Sequence, residues 1–254
     1  MSVEKRNEQL LSQIQKIKAD HPFWGYRRVW AYLKYRQHIL VNHKRVYRLM
    51  KLHNLLVKPN ARLKAIRANA SYRSKPRASK PNQFWGIDMT KVMIHSFGWV
   101  YLVVVLDWYS KKIIGHSLKE HSRTDDWLEA LNHATNNQFP QGILSKSNDL
   151  FLISDNGSQP TSRKFMKSCS SLEIKQIFTC YNNPKGNADT ERVIRTIKED
   201  LIWLKEWDSA FELEKELKRW VKQYNCDFPH SSLLYKTPDQ AEKHYYLSTT
   251  KIAA

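Results

Sequence analysis

From residue 84 onward, apolar strand patterns alternate with helical patterns, and this order restricts the possible folds more than any other feature. Three strand patterns come first, and the turns between them contain Ser96, Gly98 and Ser110, which favours an antiparallel meander. A helix, a strand, a helix, a strand and two helices follow. The predicted strands cover 83–94, 98–110, 111–118, 149–155 and 173–179, and the predicted helices cover 124–138, 162–172, 187–204 and 209–224. We therefore expect an α/β fold with a five-stranded sheet and flanking helices.

The first 57 residues carry helical patterns rich in basic residues. Apolar residues recur at helical spacing over residues 4–18, and a second helix is expected around Val29 and Leu33. Asn42 is predicted to cap a third helix that turns its apolar side inward and Arg48 outward. Two short helices with a tight join and a basic second helix predict a helix-turn-helix, although plain helical packing gives the same pattern.

Charge is distributed unevenly along the chain. Of the 42 Lys and Arg residues, 20 lie in residues 1–83, where only Glu4, Glu8 and Asp20 oppose them, so this part carries +17. Residues 84–254 hold 22 basic and 21 acidic residues and carry +1. A basic segment joined to a neutral globular domain is typical of proteins that bind a polyanion. We expect nucleic acid rather than acidic lipid, since no run approaches the roughly 18–20 apolar residues of a membrane span and no amphipathic membrane pattern is present.

Residues 58–82 are predicted to link the helical segment to the α/β part. They contain no acidic residue, and Pro76 and Pro81 interrupt their second half. A chain of this charge can track a phosphate backbone or serve only as a solvated tether. The sequence thus divides into a helix-turn-helix region (1–57), a basic linker (58–82) and an α/β core with C-terminal helices (83–254). The candidate DNA contacts are Arg27, Arg28, Lys44, Arg45 and Arg48 in the helical region, and Arg62, Lys64, Arg67, Arg73, Lys75 and Arg77 in the linker.

The three cysteines, Cys169, Cys180 and Cys226, are far apart in sequence and form no CxxC pair. This usage is typical of a reduced cytosolic protein without a zinc site. The N-terminus has no apolar signal core, so secretion is not expected. We therefore expect a cytoplasmic protein.

Three acidic residues stand where the predicted strands and helices could bring them together. Asp88 lies in the first strand pattern, Asp155 ends the fourth, and Glu191 lies early in the helix predicted over 187–204. Taken singly, each acid also fits a turn or a helix start. Taken together, they can bind two divalent cations, which can drive in-line phosphoryl transfer. In this hypothesis Asp88 bridges both ions, and Asp155 and Glu191 each complete one site.

Five sequence blocks, taken in order, resemble one family. HPFWGYRRVWAYLK with VNHKRVYRLMK resembles the helix-turn-helix segment of the insertion-sequence-three family of bacterial transposases. FWGIDMT, SDNGSQ and NADTERVIRTIKEDL resemble its three catalytic blocks, and YNCDFPHSSLLYKTPDQA resembles its C-terminal block. The resemblance is to the product of the family's second reading frame (OrfB). It implies the ribonuclease-H-like fold of integrase cores, with a mixed five-stranded sheet.

The resemblance also implies a function, a cofactor and partners. It implies a DDE transposase that cleaves DNA strands and transfers them by attack of a 3′-hydroxyl. The implied cofactor is Mg²⁺, with two ions per active site and Mn²⁺ able to substitute. The implied partners are DNA (terminal inverted repeats and target DNA), further copies of the chain on that DNA, and a first-reading-frame (OrfA) protein or a fusion with it. The implied location is the bacterial cytoplasm, in association with the nucleoid.

Basic residues are expected near the acids. Arg195 and Lys198 follow Glu191 by four and seven residues, so the three share one helix face. The resemblance implies that Lys198 contacts DNA, and Lys185 in the preceding loop is a further candidate contact. A solvated face with a Glu191–Arg195 ion pair is the alternative.

Two other functions are compatible with parts of the sequence. One is a DNA-binding regulator that kept the fold and lost catalysis, and the presence of all three acids argues against it. The other is a nuclease of the ribonuclease H type that hydrolyses DNA without joining it, and the basic linker and helix-turn-helix argue against that.

Binding of the chain to DNA should weaken steeply as salt rises, because contacts between basic side chains and phosphate release counterions. With about six such contacts, the affinity should fall by about 10³-fold between roughly 50 and 200 mM salt. Fluorescence anisotropy of a labelled duplex, titrated at several salt concentrations, measures this slope. An affinity independent of salt would contradict phosphate binding by the basic region.

Overall fold

The computed structural model describes residues 3–57, 76–143, 149–179 and 186–252. The chain forms two compact units, Met1–Ile66 with Asp227–Thr237, and Arg67–Cys226 with Pro238–Ala254. The boundaries at 57/58 and 82/83 stay predictions, because most of the segment between them lies outside the described residues.

The first unit is built on three helices. They are α1 (Val3–Asp20), α2 (Tyr26–Tyr35) and α3 (His43–Leu52). The side chain of Asn42 accepts a hydrogen bond of 2.9 Å from the Lys44 N–H, so it caps α3 as predicted. Apolar side chains at helical spacing are buried in all three helices, and they fasten the helices to one another. These buried residues include Leu10, Ile14 and Ile17 in α1, Val29 and Leu33 in α2, and Val46, Leu49 and Met50 in α3.

A segment from far along the chain, Asp227–Thr237, completes this unit. Phe228 is 6% exposed and packs edge-on against Trp24, with ring centroids 5.4 Å apart. The Arg28 guanidinium lies 4.6 Å above the Phe228 ring. The ring of Tyr235 contacts Trp30 at a centroid distance of 5.5 Å. The helical unit therefore takes part of its aromatic core from residues far downstream in the sequence.

The second unit contains the predicted mixed sheet of five strands. These are β1 (Phe84–Ile94), β2 (Gly98–Asp107), β3 (Ile113–Lys119), β4 (Phe151–Ser154) and β5 (Lys175–Phe178). Their order across the sheet is β3-β2-β1-β4-β5. The first three strands form the predicted antiparallel meander, while β4 pairs parallel with β1 and β5 parallel with β4. The central strand, β1, therefore joins the antiparallel and parallel halves.

Helices cover both faces of this sheet. Trp85 and Ile87 of β1 belong to a buried core that includes α4 (Thr124–Gln138) and α5 (Arg163–Ser171). Gly86 instead lies against α6 (Ala188–Asp200). Successive strand residues point to opposite faces, so α4 and α6 cover opposite sides of β1.

The C-terminal part differs from the sequence prediction in three places. The helix predicted over 187–204 ends at Asp200, because Leu201 leaves helical geometry (φ −138°, ψ −62°), and a 3-10 turn over Ile202–Leu204 follows. The next helix, α7, runs over Ala210–Asp227 and is longer than predicted. A further helix, α8 (Pro238–Ile252), was not predicted. No helix in the described ranges has the length and apolar composition needed to cross a bilayer.

Phe228→Ala should destabilise the first unit by about 3 kcal/mol, because it removes a buried ring from an aromatic core. Hydrogen exchange of the α2 and α3 backbone amides, followed by mass spectrometry, should become faster. Leu234→Ala in the same segment is the matched control, since Leu234 is 81% exposed. Equal exchange in the two variants would contradict a structural role for this segment.

Candidate active site

Asp88 lies in the middle of β1, on the face that α6 covers. Gly86 and Asp88 are two residues apart on one strand, so they point to the same side of the sheet. The Asp88 carboxylate accepts a hydrogen bond of 2.8 Å from the Met89 N–H. The pKa of Asp88 is raised to about 6. Burial is the largest cause and the charges of Asp155 and Glu191 add to the rise, while the Met89 hydrogen bond and the charge of Lys198 oppose it.

Asp155 directly follows β4 and stands level with Asp88. The parallel pairing of β1 with β4 sets Gly86 opposite Ile153, and two more residues along each strand lead to Asp88 and Asp155. The Asp155 carboxylate accepts a hydrogen bond of 3.0 Å from the Gly157 N–H, which forms a tight Asx turn. This turn leaves Asp155 exposed at the carboxyl end of the strand.

Glu191 lies in the first turn of α6 and is exposed. Its N–H donates a hydrogen bond of 3.1 Å to the Asn187 carbonyl. The Asn187 side chain makes no cap bond to the helix. Its amide instead donates 3.2 Å to the carbonyl of Ile87, the residue before Asp88.

Asp155 and Glu191 therefore both lie within electrostatic reach of Asp88, although the three acids belong to different parts of the fold. Within the described ranges, however, no three His, Cys, Asp or Glu side chains are already arranged to hold one metal ion. Carboxylates that bear like charges repel, and Asp88 and Asp155 each accept a bond from a nearby backbone N–H. Three carboxylates supply the oxygen ligands that Mg²⁺ prefers, and a cation would relieve the repulsion that raises the Asp88 pKa. The donor set thus fits a divalent metal.

The basic residues predicted beside the acids have different surroundings. Lys198 is close enough to lower the pKa of Asp88. The Arg195 side chain forms an ion pair of 2.7 Å with Glu199 rather than with Glu191. Lys185 lies outside the described residues.

The candidate DNA contacts of the N-terminal region differ in their exposure and in their partners. Arg27, Lys44 and Arg48 are exposed. Arg28 lies against aromatic rings of its own unit, and Arg45 donates two hydrogen bonds, of 3.0 and 2.7 Å, to the Asn7 side chain. Arg77 is exposed, whereas Arg62, Lys64, Arg67, Arg73 and Lys75 lie outside the described residues.

Several residues that shape the site were missed by sequence reasoning. Gly86, Trp108 and Thr190 meet where α6 contacts β1, and Trp108 Nε1 donates 3.2 Å to Thr190 Oγ1. Trp108 is buried. The one available signal was a glycine inside an apolar strand, which often marks a close approach of another backbone.

Asp107, another acid at a strand end, has a structural role at a turn. Its buried carboxylate accepts hydrogen bonds from the Asn82 N–H (2.9 Å), the Ser110 N–H (2.8 Å) and the Ser110 hydroxyl (2.6 Å). These bonds close the turn between β2 and β3.

Comparisons with known proteins agree with this arrangement. Residues 78–184 and 172–238 match models of the integrase core domain, and residues 5–62 match a model of an HTH-like domain. The chain is 30% identical over 217 residues to the transposase for insertion sequence element IS904 of Lactococcus lactis, covering 81% of this chain and 82% of that one. It is 27% identical over 252 residues to the transposase for IS629 of Shigella sonnei, covering 96% and 82%. Among solved structures, the fold is similar to that of the simian T-cell lymphotropic virus intasome (TM-score 0.53, 18% identity, 84% of this chain and 73% of that chain).

An integrase core preceded by an HTH-like domain defines an enzyme of the polynucleotidyl transferase class. The chain belongs to the insertion-sequence-three family of transposases, within the integrase superfamily. Its function is DNA transposition, for which the family uses metal-dependent strand cleavage and transfer. The predicted ribonuclease-H-like fold and the predicted helix-turn-helix are confirmed.

The pKa of about 6 for Asp88, against an ordinary value of 3.8, predicts a dependence of stability on pH. Since the pKa is raised in the folded protein, the protonated carboxyl stabilises the fold below about pH 4, and this contribution is lost as the pH rises through about 6. Asp88→Asn mimics the protonated form. It should therefore be more stable than the metal-free wild type by roughly 1–3 kcal/mol at about pH 7.5, and equally stable near pH 4.

Urea denaturation in a chelator at both pH values measures this difference. The control is Asp125→Asn, which alters an exposed acid on α4. A stability gain for Asp88→Asn that is the same at both pH values would contradict the raised pKa.

Proposed function

We propose that Asp88, Asp155 and Glu191 form the active site with which this transposase cuts its DNA ends and joins them to target DNA. The observation that carries the proposal is the placement of the acids: the parallel register of β1 and β4 sets Asp88 level with Asp155, and Glu191 on α6 lies near enough for its charge to act on Asp88. Side chains far apart in sequence thus share one electrostatic environment. We propose that this environment takes two Mg²⁺ ions, for which Mn²⁺ can substitute. When bound, such ions activate the attacking hydroxyl and stabilise the leaving oxygen of a phosphodiester.

The positions of the three acids support different roles. Asp88 is half-buried on the central strand and both other acids act on it electrostatically, which suits a carboxylate shared by both ions. Asp155 and Glu191 are exposed on a turn and on a helix, so each can complete one ion's coordination from its own side. Each acid is held by backbone hydrogen bonds of its own element. Little rearrangement of the main chain is then needed to close the site.

Lys198 is the best-placed cation to hold the DNA phosphate. It lies close enough to Asp88 to affect its pKa, and it follows Glu191 by two helical turns. Its ammonium would attract the phosphate that the carboxylates alone would repel. Arg195, although on the same face, is paired with Glu199 and would have to leave that partner to contact DNA.

We propose that the exposed cations of α2 and α3 contact the terminal inverted repeats. Arg27, Lys44 and Arg48 are exposed, although Arg27 Nε donates a surface hydrogen bond of 3.2 Å to the Tyr26 hydroxyl. Arg28 and Arg45 are instead engaged by partners within their own unit. Arg28 and Arg45 then stabilise the helical unit and contact DNA less than the sequence suggested. The basic linker, with Arg77 at its described end, would track the phosphate backbone.

The remaining partners follow from the reaction. An insertion sequence has two ends, so we propose that several copies of the chain act together on DNA, at the nucleoid. A first-reading-frame protein, alone or fused to this chain, would add a further DNA-binding part. The relative with the IS2A name, a 48.2 kDa protein, is longer than this chain, which spans 56% of it.

A strand-joining assay tests this function and the site together. The protein is incubated with a labelled inverted-repeat end from its own element, a target plasmid and Mg²⁺. Wild-type protein should give a joined product. Asp155→Asn should lower joining below detection while DNA binding is retained, because the substitution removes only a metal ligand.

The control, Asp125→Asn, changes an exposed acid that pairs with Lys164 and should leave joining unchanged. Nicking by the wild type without joining would identify a nuclease, and a band shift without cleavage would identify a regulator. An active Asp155→Asn variant would refute the metal assignment.

A further inference from the structure

The first turn of α6 is fastened to β1 directly beside the proposed metal ligands. Asn187, which precedes α6, is only 6% exposed. Its Nδ2 donates a hydrogen bond of 3.2 Å to the carbonyl of Ile87. Ile87 comes one residue before Asp88, and Asn187 comes one helical turn before Glu191. One hydrogen bond therefore connects the neighbours of two acids on different elements.

Gly86 provides the room for this contact. A Cβ at position 86 would overlap Thr190 Oγ1 and Trp108 Nε1 and would lie 2.9 Å from Asn187 Oδ1. The backbone here is ordinary strand, so the missing side chain matters rather than the conformational freedom of glycine. Any larger residue would push the start of α6 away from β1.

The contact is kept although it leaves a polar atom unsatisfied. Asn187 Oδ1 is buried and has no hydrogen-bond partner among the described residues. A buried acceptor without a partner costs about 1–3 kcal/mol. An apolar residue would avoid that loss, but it would also lose the bond to Ile87. The stability of the fold alone therefore does not account for asparagine at this position.

We propose that Asn187 and Gly86 are positioning residues, which set α6 at the depth and rotation that bring Glu191 to Asp88. This inference rests on the proposed active site. Neither residue is proposed to touch metal or DNA, and both act through the placement of Glu191. The hydrogen bond between Trp108 and Thr190 secures the same turn from the side of β2. Small displacements matter here, because an error of about 1 Å in a catalytic group can lower the rate about 100-fold.

Asn225 on α7 offers a matched control for Asn187. It is 9% exposed, donates 2.9 Å from Nδ2 to the Ile113 carbonyl, and accepts 3.0 Å from the Ile113 N–H. It therefore also fastens a helix to a strand backbone, but none of the three acids is on α7 or β3. Truncating either asparagine removes the same kind of anchor.

The test compares Asn187→Ala with Asn225→Ala in the full chain. Two Mn²⁺ concentrations are measured for each variant. One gives half of the metal-induced rise in melting temperature, and the other gives half-maximal strand joining. Asn187→Ala should raise both concentrations about 10- to 100-fold, as expected when a residue that orients a ligand is lost. Asn225→Ala should lower the metal-free melting temperature at least as much, yet leave both concentrations within about twofold of wild type.

A second variant separates positioning from folding. Serine is a good N-cap residue, so Asn187→Ser should preserve α6. The serine side chain is, however, too short to reach the Ile87 carbonyl. It should show the same rise in half-saturating Mn²⁺ as Asn187→Ala with a smaller loss of stability. Unchanged metal dependence in Asn187→Ser, or equal changes in Asn187→Ala and Asn225→Ala, would overturn the inference. A wild type that gains no stability from Mn²⁺ and joins no DNA would instead overturn the proposed function.

Discussion

Repulsion between like charges is the constraint on which the rest of the structure depends. Asp155 at the end of β4 and Glu191 on α6 both lie within electrostatic reach of Asp88 on the central strand, and their charges add to the rise in the Asp88 pKa that burial causes. Such a group stays together only if each member is held by a rigid element. The pairing of β1 with β4 holds two of the acids level, and the contact of α6 with Gly86 holds the third. Strand pairing and helix packing thus hold together three acids that would otherwise repel one another.

The sequence predicted the parts of the structure that depend on local pattern. The apolar runs around Asp88 and before Asp155 predicted strands, and Asn42 predicted the start of a helix. The structure contains both strands and that helix. Contacts between distant segments could not be predicted in this way. No periodicity indicates that Asn187 reaches Ile87 or that Arg45 is held by Asn7, because each depends on the packing of two elements. Even a correctly located cation, such as Arg195, gave no sign of its partner Glu199.

In the proposed site the main chain is held in place, whereas the acidic side chains are not arranged around a metal position. Asp88, Asp155 and Glu191 lie on anchored main chain, yet within the described part of the chain their side chains do not already form a metal cluster. Side-chain rotation is a smaller change than movement of a strand or helix. The exposed positions of Asp155 and Glu191 leave space for that rotation.

The segment Asp227–Thr237 has a consequence for how such proteins can exchange parts during evolution. The helical unit looks like an independent N-terminal module, but Phe228 and Tyr235 of its aromatic packing are encoded far downstream. A recombination event that moved only the first part of the gene onto another catalytic core would leave Trp24 and Trp30 without these partners. Replacement of the whole unit should therefore be tolerated less well than point substitutions on the exposed side of α3.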